Sequence, residues 1–124
     1  MKTMRVLDLS LKHRWYDMIA SGEKTEEYRE IKDFYFKRLN FEWRLHLEDG
    51  CYKGCIDFRH HPEKCAKCGR FSPYPYDAVR FHRGQGSPVT MLVECLGITI
   101  GKGKPEWGAP EDKEVFIIKL GKRL

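Results

Sequence analysis

One short polar stretch, residues 22–29 (GEKTEEYR), brings together side chains whose chemistry is complementary. Lys24 and Arg29 can hold an anion, and an arginine can do so with two parallel hydrogen bonds. Glu27 can accept a hydrogen bond from an amino or amide group, as a carboxylate does with the exposed edge of cytosine or guanine. Aromatic side chains nearby could stack on an unpaired base. The stretch therefore indicates a site for an anionic ligand that carries a base.

The same stretch is predicted to begin a strand directly after a helix. Gly22 can end that helix in the left-handed conformation and let the chain reverse. Side chains alternate between the two faces of a strand. The alternation predicts two sets, with Lys24, Glu26 and Tyr28 on one face and Thr25, Glu27 and Arg29 on the other. A solvated strand that carries charged pairs fits the same pattern, because runs of charge usually lie at the surface.

Catalysis is a second hypothesis for these residues. A lysine that is crowded by Arg29 and partly shielded from water could act as a base or a nucleophile. Glu27, or Glu94 from a neighbouring strand, could carry protons. The candidate catalytic residues are therefore Lys24, Glu27, Arg29 and Glu94. No serine, histidine and acid arrangement, and no pairing of cysteine with histidine, is persuasive in this chain.

Hydrophobic spacing predicts the elements that position the motif. Strands are expected over residues 4–9, 41–47, 76–83, 91–100 and 115–120. Helices are expected from a Ser10 cap to residue 19 or 20, and again up to about Leu39. The buried stripe of the first helix is predicted to contain four residues, Leu11, Trp15, Met18 and Ile19.

In its predicted strand, Glu94 is expected on the same face as three apolar residues, Leu92, Leu96 and Ile98. A carboxylate on an apolar face needs a partner or a path to solvent. A bulge, an edge position or a functional cleft would each account for it.

Basic side chains outside the motif extend the candidate nucleic-acid interface. Lys12 and Arg14 lie on the outward face of the first helix, where they could meet phosphates or only water. Arg80 and His82 share one face of the 76–83 strand. With Gly22, Lys24, Glu27 and Arg29 they complete the predicted nucleic-acid-binding set.

Residues 49–76 contain four of the five cysteines and are predicted to form an insert within the domain. A long loop without a core of its own is unusual unless something stabilises it. In a cytosolic protein a metal is favoured over disulfides. Cys51, Cys55, Cys65 and Cys68 could bind one structural zinc ion tetrahedrally, with His60 or His61 as a substitute ligand. Free thiols are the alternative.

Length and composition indicate a single soluble domain over residues 1–124. The chain has 124 residues, 33% charged side chains and a formal net charge of +5, which mildly favours an anionic partner. No apolar run is long enough to cross a membrane, and the N-terminus does not read as a signal peptide, so a cytoplasmic location is expected. The oligomeric state is left open.

The motif G-x-K-x-x-E-x-R, carried by Gly22, Lys24, Glu27 and Arg29, resembles the signature of the ASCH domain family within the PUA-like superfamily. The preceding amphipathic helix and the following strands are similar to that family as well, and so is the loop at residues 107–110. The resemblance covers most of the chain outside roughly residues 49–76. It implies an α+β fold, namely a small PUA-like β-barrel with one or two short helices, here with an inserted Cys-rich loop.

The resemblance also implies a function related to RNA. Family members include known or presumed RNA binders, ribonucleases, and amidohydrolases that remove the acetyl group from N4-acetylcytidine. In those amidohydrolases a lysine matched by Lys24 is followed three residues later by threonine, whereas this chain has Glu27 there and Thr25 one residue after the lysine. RNA or a modified nucleotide is therefore the expected ligand, a small hydrolase is the alternative, and a zinc-stabilised protein-interaction scaffold is a further one.

Overall fold

The structure, a computed structural model, describes residues 3–39 and 74–124. Its elements in chain order are β1 (Val6–Leu11), α1 (His13–Ala20), β2 (Glu26–Arg29), α2 (Asp33–Leu39), β3 (Ala78–Arg83), β4 (Thr90–Gly101), a 3₁₀ turn (Pro105–Trp107) and β5 (Val115–Arg123). None of the described helices is long and apolar enough to cross a membrane.

The five described strands form one mixed sheet in the order β1-β3-β4-β5-β2. β1 pairs with β3 in parallel, and the remaining pairs are antiparallel. The sheet curls into a half-barrel, so its two edge strands approach each other. Arg29 of the edge strand β2 donates a hydrogen bond of 3.0 Å to the Ser10 carbonyl of the other edge strand, β1. The predicted α+β barrel-like architecture is therefore confirmed, whereas the PUA-like relationship stays a prediction.

Alternating apolar residues of the strands fill the concave side of the sheet. Leu7 and Leu9 of β1 are buried, and so are Phe81 of β3 and Phe116 and Ile118 of β5. Burying an aliphatic or phenylalanine side chain stabilises the fold by about 1.5–3 kcal/mol relative to leaving it exposed. Leu7 and Leu9 therefore point inward, as the alternation of a strand requires.

The predicted cap of the first helix is wrong. Ser10 belongs to β1, which continues to Leu11, and α1 begins at His13 with Lys12 at the capping position. The reason is strand pairing, because Ser10 and Leu11 stand opposite His82 and Arg83 in the parallel register. The two residues that α1 buries are consequently Tyr16 and Ile19, while Trp15 and Met18 are half-buried.

The end of α1 agrees with the prediction for Gly22, which has φ 86°. A residue with a Cβ would be strained in this left-handed conformation. The Gly22 N–H donates to the Ile19 carbonyl at 3.1 Å, and the Lys24 N–H donates to the Met18 carbonyl at 3.0 Å. These bonds fix the backbone of Lys24 against the end of the helix.

A β-bulge interrupts β4 in the stretch that contains Glu94. The register with β5 shifts between Val93 and Cys95 and again between Cys95 and Gly97. Met91 and Val93 are buried before the shift, and Ile98 is buried after it. Odd-numbered residues of β4 therefore face the core before the bulge, and an even-numbered residue does so after it. The predicted apolar face of Leu92, Leu96 and Ile98 is therefore wrong, since Leu96 is 62% exposed.

The second helix agrees with the predicted end at Leu39, which is fully buried. The Tyr74 N–H donates to the Leu39 carbonyl at 2.8 Å, so the two described parts of the chain meet at this point. The predicted strand at 41–47 and most of the predicted Cys-rich insert at 49–76 lie outside the described residues.

The loop between β4 and β5 packs over β2. The Lys104 N–H donates to the Tyr28 hydroxyl at 3.0 Å, and Gly103 lies against the ring of Tyr28. The 3₁₀ turn ends at Gly108, which has φ 98° and packs beside the ring of Trp15. The loop thereby joins β2 to the side of α1.

Substitution of Gly103 by alanine is expected to destabilise the protein by about 1–3 kcal/mol, the usual cost of overpacking. The added Cβ would lie 2.5 Å from Cε1 of Tyr28 and 2.8 Å from Cβ of Ala109. Urea denaturation measures the change in the free energy of unfolding. Gly101→Ala is the matched control, because its Cβ would meet Ile117 at an ordinary 3.5 Å. Equal stability of the two variants would contradict this packing.

Candidate functional site

Glu27 is shared by two cations at the centre of the motif. Nζ of Lys24 donates to Oε1 of Glu27 at 2.8 Å, and a terminal nitrogen of Arg29 donates to Oε2 at 2.6 Å. Lys24 is 2% exposed and Glu27 is 5% exposed. We call these three residues the ionic triad; its formal charges, two positive and one negative, sum to +1. Charged groups with so little exposure are stable only when they are paired.

The predicted division of the motif between two strand faces is correct for β2 and wrong for Lys24. Glu27 and Arg29 share one face, and Tyr28 donates to Glu26 at 2.7 Å on the other. Lys24 lies before β2, which begins at Glu26, so strand alternation does not apply to it. The turn after α1 directs the lysine to Glu27 across three residues of sequence.

Arg29 connects the triad to two other elements. One terminal nitrogen donates to the Tyr35 hydroxyl of α2 at 3.0 Å. The other donates to the Ser10 carbonyl at 3.0 Å and also to Glu27. Burial disfavours the charged guanidinium, but the Glu27 carboxylate and the Tyr35 hydroxyl outweigh it, so the pKa of Arg29 is raised. Its Nε is buried and has no hydrogen-bond partner among the residues that the structure describes. The orientation of the guanidinium is therefore set by three elements.

The surroundings of the Lys24 ammonium are aromatic. Nζ donates to the Trp107 carbonyl at 2.9 Å and lies 5.3 Å from the ring centroid of Trp15 and 5.1 Å from that of Tyr28. A cation within about 6 Å of an aromatic ring is attracted by the ring's quadrupole. Two polar acceptors and two rings thus hold one ammonium group.

Tyr28 stands between the triad and the loop before β5. The pKa of Tyr28 is raised to about 12, chiefly by burial; the hydrogen bond from the N–H of Lys104 opposes the rise, and the Glu26 carboxylate contributes to it. The phenol keeps its proton, and its hydroxyl both donates to Glu26 and accepts from Lys104.

Two cavities adjoin the triad. One of about 350 Å³ is lined by Tyr28, Arg29, Glu30, Gly108, Pro110, Lys113 and Val115. A second, of about 210 Å³, lies at the end of α1 and includes Gly22, Lys24 and Thr25, together with Lys122 and Arg123 of β5. Arg29 faces the first cavity and Lys24 the second.

The other predicted basic residues lie apart from the triad. Lys12 and Arg14 are exposed on α1, and the Arg14 guanidinium lies 4.6 Å from the ring centroid of Trp15. Arg80 and His82 contact Asp8 across the β1–β3 pair at 3.3 and 2.9 Å. The hydrogen bond from His82 lowers the pKa of Asp8, burial opposes the shift, and Arg80 adds to it. Arg14 is therefore the one of the four that borders the aromatic surroundings of Lys24.

Glu94 lines a different cavity from Lys24 and Arg29. Within residues 3–39 and 74–124 it makes no hydrogen bond or ion pair with the triad. The structure thus gives no geometry for proton transfer between Glu94 and Lys24.

The predicted zinc ligands Cys51, Cys55, Cys65 and Cys68 lie outside the described residues, so the zinc site stays a prediction. Among the residues that are described, no group of three or more His, Cys, Asp or Glu side chains could hold a metal ion. Cys95 is a free thiol whose pKa is raised by burial, as expected for a cysteine that packs beside the core.

Sequence reasoning missed three contributors to the site: Tyr35, the Trp107 carbonyl and the Ser10 carbonyl. Backbone carbonyls carry no sequence signal. Tyr35 follows the motif by only a few residues within a cluster of aromatics, and that proximity was the available signal.

No family model, curated protein or solved structure matches this chain. The resemblance to the ASCH family therefore stays a prediction, and the argument for function rests on the geometry of the site.

Glu27→Gln is expected to destabilise the protein more than Lys24→Met. The first change leaves two buried cations without a counter-charge, and breaking a buried pair in this way costs about 3–5 kcal/mol. The second leaves the neutral Glu27–Arg29 pair and chiefly removes the donor to the Trp107 carbonyl, at about 1–3 kcal/mol. Chemical denaturation gives the order.

Glu23→Gln is the control for that comparison, because Glu23 is exposed and makes no ion pair within the described part of the chain. Its effect should stay within about 0.5 kcal/mol. A Lys24→Met variant that is less stable than Glu27→Gln would show that the triad is not organised around Glu27.

The raised pKa of Tyr28 predicts that the folded state loses stability at alkaline pH. Because its folded pKa of about 12 lies above the ordinary value of 10.0, the folded state holds the proton more tightly than the unfolded chain. The resulting stabilisation is complete below pH 10 and is lost as the pH rises through about 12. Urea denaturation from pH 9 upward, compared with Tyr28→Phe, should show a shallower decline in the variant. Parallel declines would contradict the assignment.

Proposed function

We propose that this protein binds RNA or a modified nucleotide at the cleft formed by its G-x-K-x-x-E-x-R motif. The observation that carries the proposal is the position of Arg29. Its guanidinium is held by Glu27, Tyr35 and Ser10, and Arg29 and Tyr28 are both among the residues that line a cavity of about 350 Å³. A fixed guanidinium can donate to a phosphate or to a carbonyl edge, and an aromatic ring can stack on a base.

The size of the cavity favours a small ligand. Pockets for small molecules usually have volumes of about 300–1,000 Å³. A cavity of about 350 Å³ lies at the lower end of that range and suits one nucleotide unit rather than a duplex. Recognition of RNA by sequence commonly targets single strands, whose bases can leave the stack. A nucleotide from a single strand is therefore the ligand we favour.

The charges around this cavity favour an anion. Arg29 and Lys113 line it together with one carboxylate, Glu30, so the lining has a formal excess of +1. The ion pair of Lys113 with Glu30 is 3.5 Å long between side chains that are more than half exposed. Such exposed pairs contribute little stability, so Lys113 can exchange Glu30 for a phosphate at small cost.

Half-buried aromatic rings extend the surface beyond the cavity. The Lys104 ammonium lies 4.3 Å from the ring centroid of Trp107, and the Arg14 guanidinium lies beside Trp15. Stacking of a base on an aromatic side chain is worth about 1–3 kcal/mol. Cations next to these rings would also attract the phosphates of the same strand.

The geometry supports hydrolysis less well than binding. Lys24 is 2% exposed, and its ammonium donates to both Glu27 and the Trp107 carbonyl. A nucleophilic or basic lysine would have to leave these acceptors and lose its proton. We therefore assign Lys24 and Glu27 to positioning Arg29 rather than to a chemical step.

Trp107→Ala should raise the Kd for a short single-stranded RNA by about 5- to 150-fold, which is the equivalent of losing 1–3 kcal/mol of stacking. The substitution keeps the backbone carbonyl that accepts from Lys24.

Lys113→Gln should reduce the slope of log Kd against log salt by about 0.7, the value of one phosphate contact on a single strand. Fluorescence anisotropy of a labelled oligonucleotide at several salt concentrations measures both.

Lys119→Gln is the matched control, because Lys119 is exposed on β5 and lines none of the three described cavities. Wild-type affinity and salt dependence in both test variants would overturn the proposal. In a parallel incubation with N4-acetylcytidine or RNA, turnover that Lys24→Met abolishes in a folded protein would replace it with the hydrolase hypothesis.

A further inference from the structure

A third cavity, separate from the nucleotide cleft, lies at the opposite end of β1 from Ser10. It has a volume of about 520 Å³, and the lining includes Met4, Tyr76, Asp77, Glu94, Lys122 and Leu124. Met4 precedes Ser10, where Arg29 is bound, by six residues, which is about 20 Å along an extended chain. A ligand in this cavity would therefore not reach Arg29, although Lys122 also lines the cavity that includes Lys24.

Glu94 and Lys122 bring opposite charges to the lining, and the structure leaves both unpaired. Neither makes a hydrogen bond or an ion pair, with each other or with another residue in the described ranges. Asp77, in contrast, already accepts the backbone N–H of Arg5 at 2.8 Å. A carboxylate and an ammonium group are thus both available to a ligand in the same cavity.

Gly121 of β5 leaves room for the Glu94 carboxylate because it lacks a side chain. A Cβ at this position would collide with Oε1 of Glu94 and would lie 3.1 Å from its Cδ. The carboxylate therefore rests directly over the strand, beside the bulge that interrupts β4. Any larger residue at 121 would force Glu94 to turn away from this position.

We propose that this cavity binds a small zwitterion the size of an aliphatic α-amino acid. The ammonium group of the ligand pairs with Glu94, and its carboxylate pairs with Lys122. The side chains of Met4 and Leu124, which are each about half exposed at 47% and 50%, offer apolar surface to an aliphatic side chain. This inference does not depend on the nucleotide-binding proposal.

Titration of the full chain with L-leucine tests the inference, with ¹H–¹⁵N NMR spectra recorded at each step. We expect saturable shifts of the amide signals of Glu94, Cys95 and Lys122, with a Kd of about 1 mM. Leucinamide lacks the carboxylate and N-acetylleucine lacks the ammonium group, so each should bind at least about tenfold more weakly. Equal binding by either analogue, or no saturation with leucine, overturns the proposal.

Variants separate the two charges from general effects on the fold. Glu94→Gln and Lys122→Met should each weaken leucine binding by about tenfold, whereas the exposed control variants Glu111→Gln and Lys119→Met should bind as the wild type does. Gly121→Ala keeps both charges but displaces the Glu94 carboxylate, and it should weaken binding as well. Trp107→Ala should leave leucine binding unchanged, so a failure here and a failure of the nucleotide-binding proposal are distinguishable. Unaltered binding in both charge variants overturns the assignment.

Discussion

The rest of the structure depends on one carboxylate, that of Glu27, and on the two cations that share it. Arg29 is fixed by this carboxylate and then reaches from β2 to the Ser10 carbonyl of β1, so the two edges of the sheet are joined by a side chain. Lys24 reaches from the same carboxylate to the Trp107 carbonyl in the loop before β5. Within residues 3–39 and 74–124, β1 and β2 do not pair as strands, and the hydrogen bond from Arg29 to the Ser10 carbonyl links them.

Closure of this kind is expensive, and the cost argues for a purpose beyond stability. Each buried ion loses hydration, and apolar residues of similar volume often replace buried ion pairs without loss of stability. In the described part of the chain, Nε of Arg29 is also buried without a hydrogen-bond partner. Apolar residues at 24, 27 and 29 would leave no cation among the residues that line the cavity with Tyr28, apart from Lys113. The ionic solution is consistent with a site that must receive an anion.

The sequence predicts the elements of this fold better than it predicts their junctions. The strands and the second helix follow from alternation and helical spacing, and Gly22 predicts the reversal after α1. The start of α1 is displaced because Leu11 pairs with Arg83, and the buried face of β4 changes because its register with β5 shifts between Cys95 and Gly97. Both deviations come from pairing with distant strands, which no local pattern reveals. The triad was predicted as a set of residues, whereas its geometry required a turn that places Lys24 outside the strand.

The same contacts that close the sheet also determine how the proposed site would work. Binding is tighter when the protein does not have to order its side chains on contact with the ligand. Three elements hold the Arg29 guanidinium, and the Tyr28 hydroxyl is held between Glu26 and Lys104, so the donor and the ring are already in position. The exposed Lys113 and the half-buried ring of Trp107 are the groups that can adjust to a flexible strand. A rigid centre with an adaptable rim suits recognition of one nucleotide within a longer chain better than it suits a reaction that begins by freeing a buried lysine.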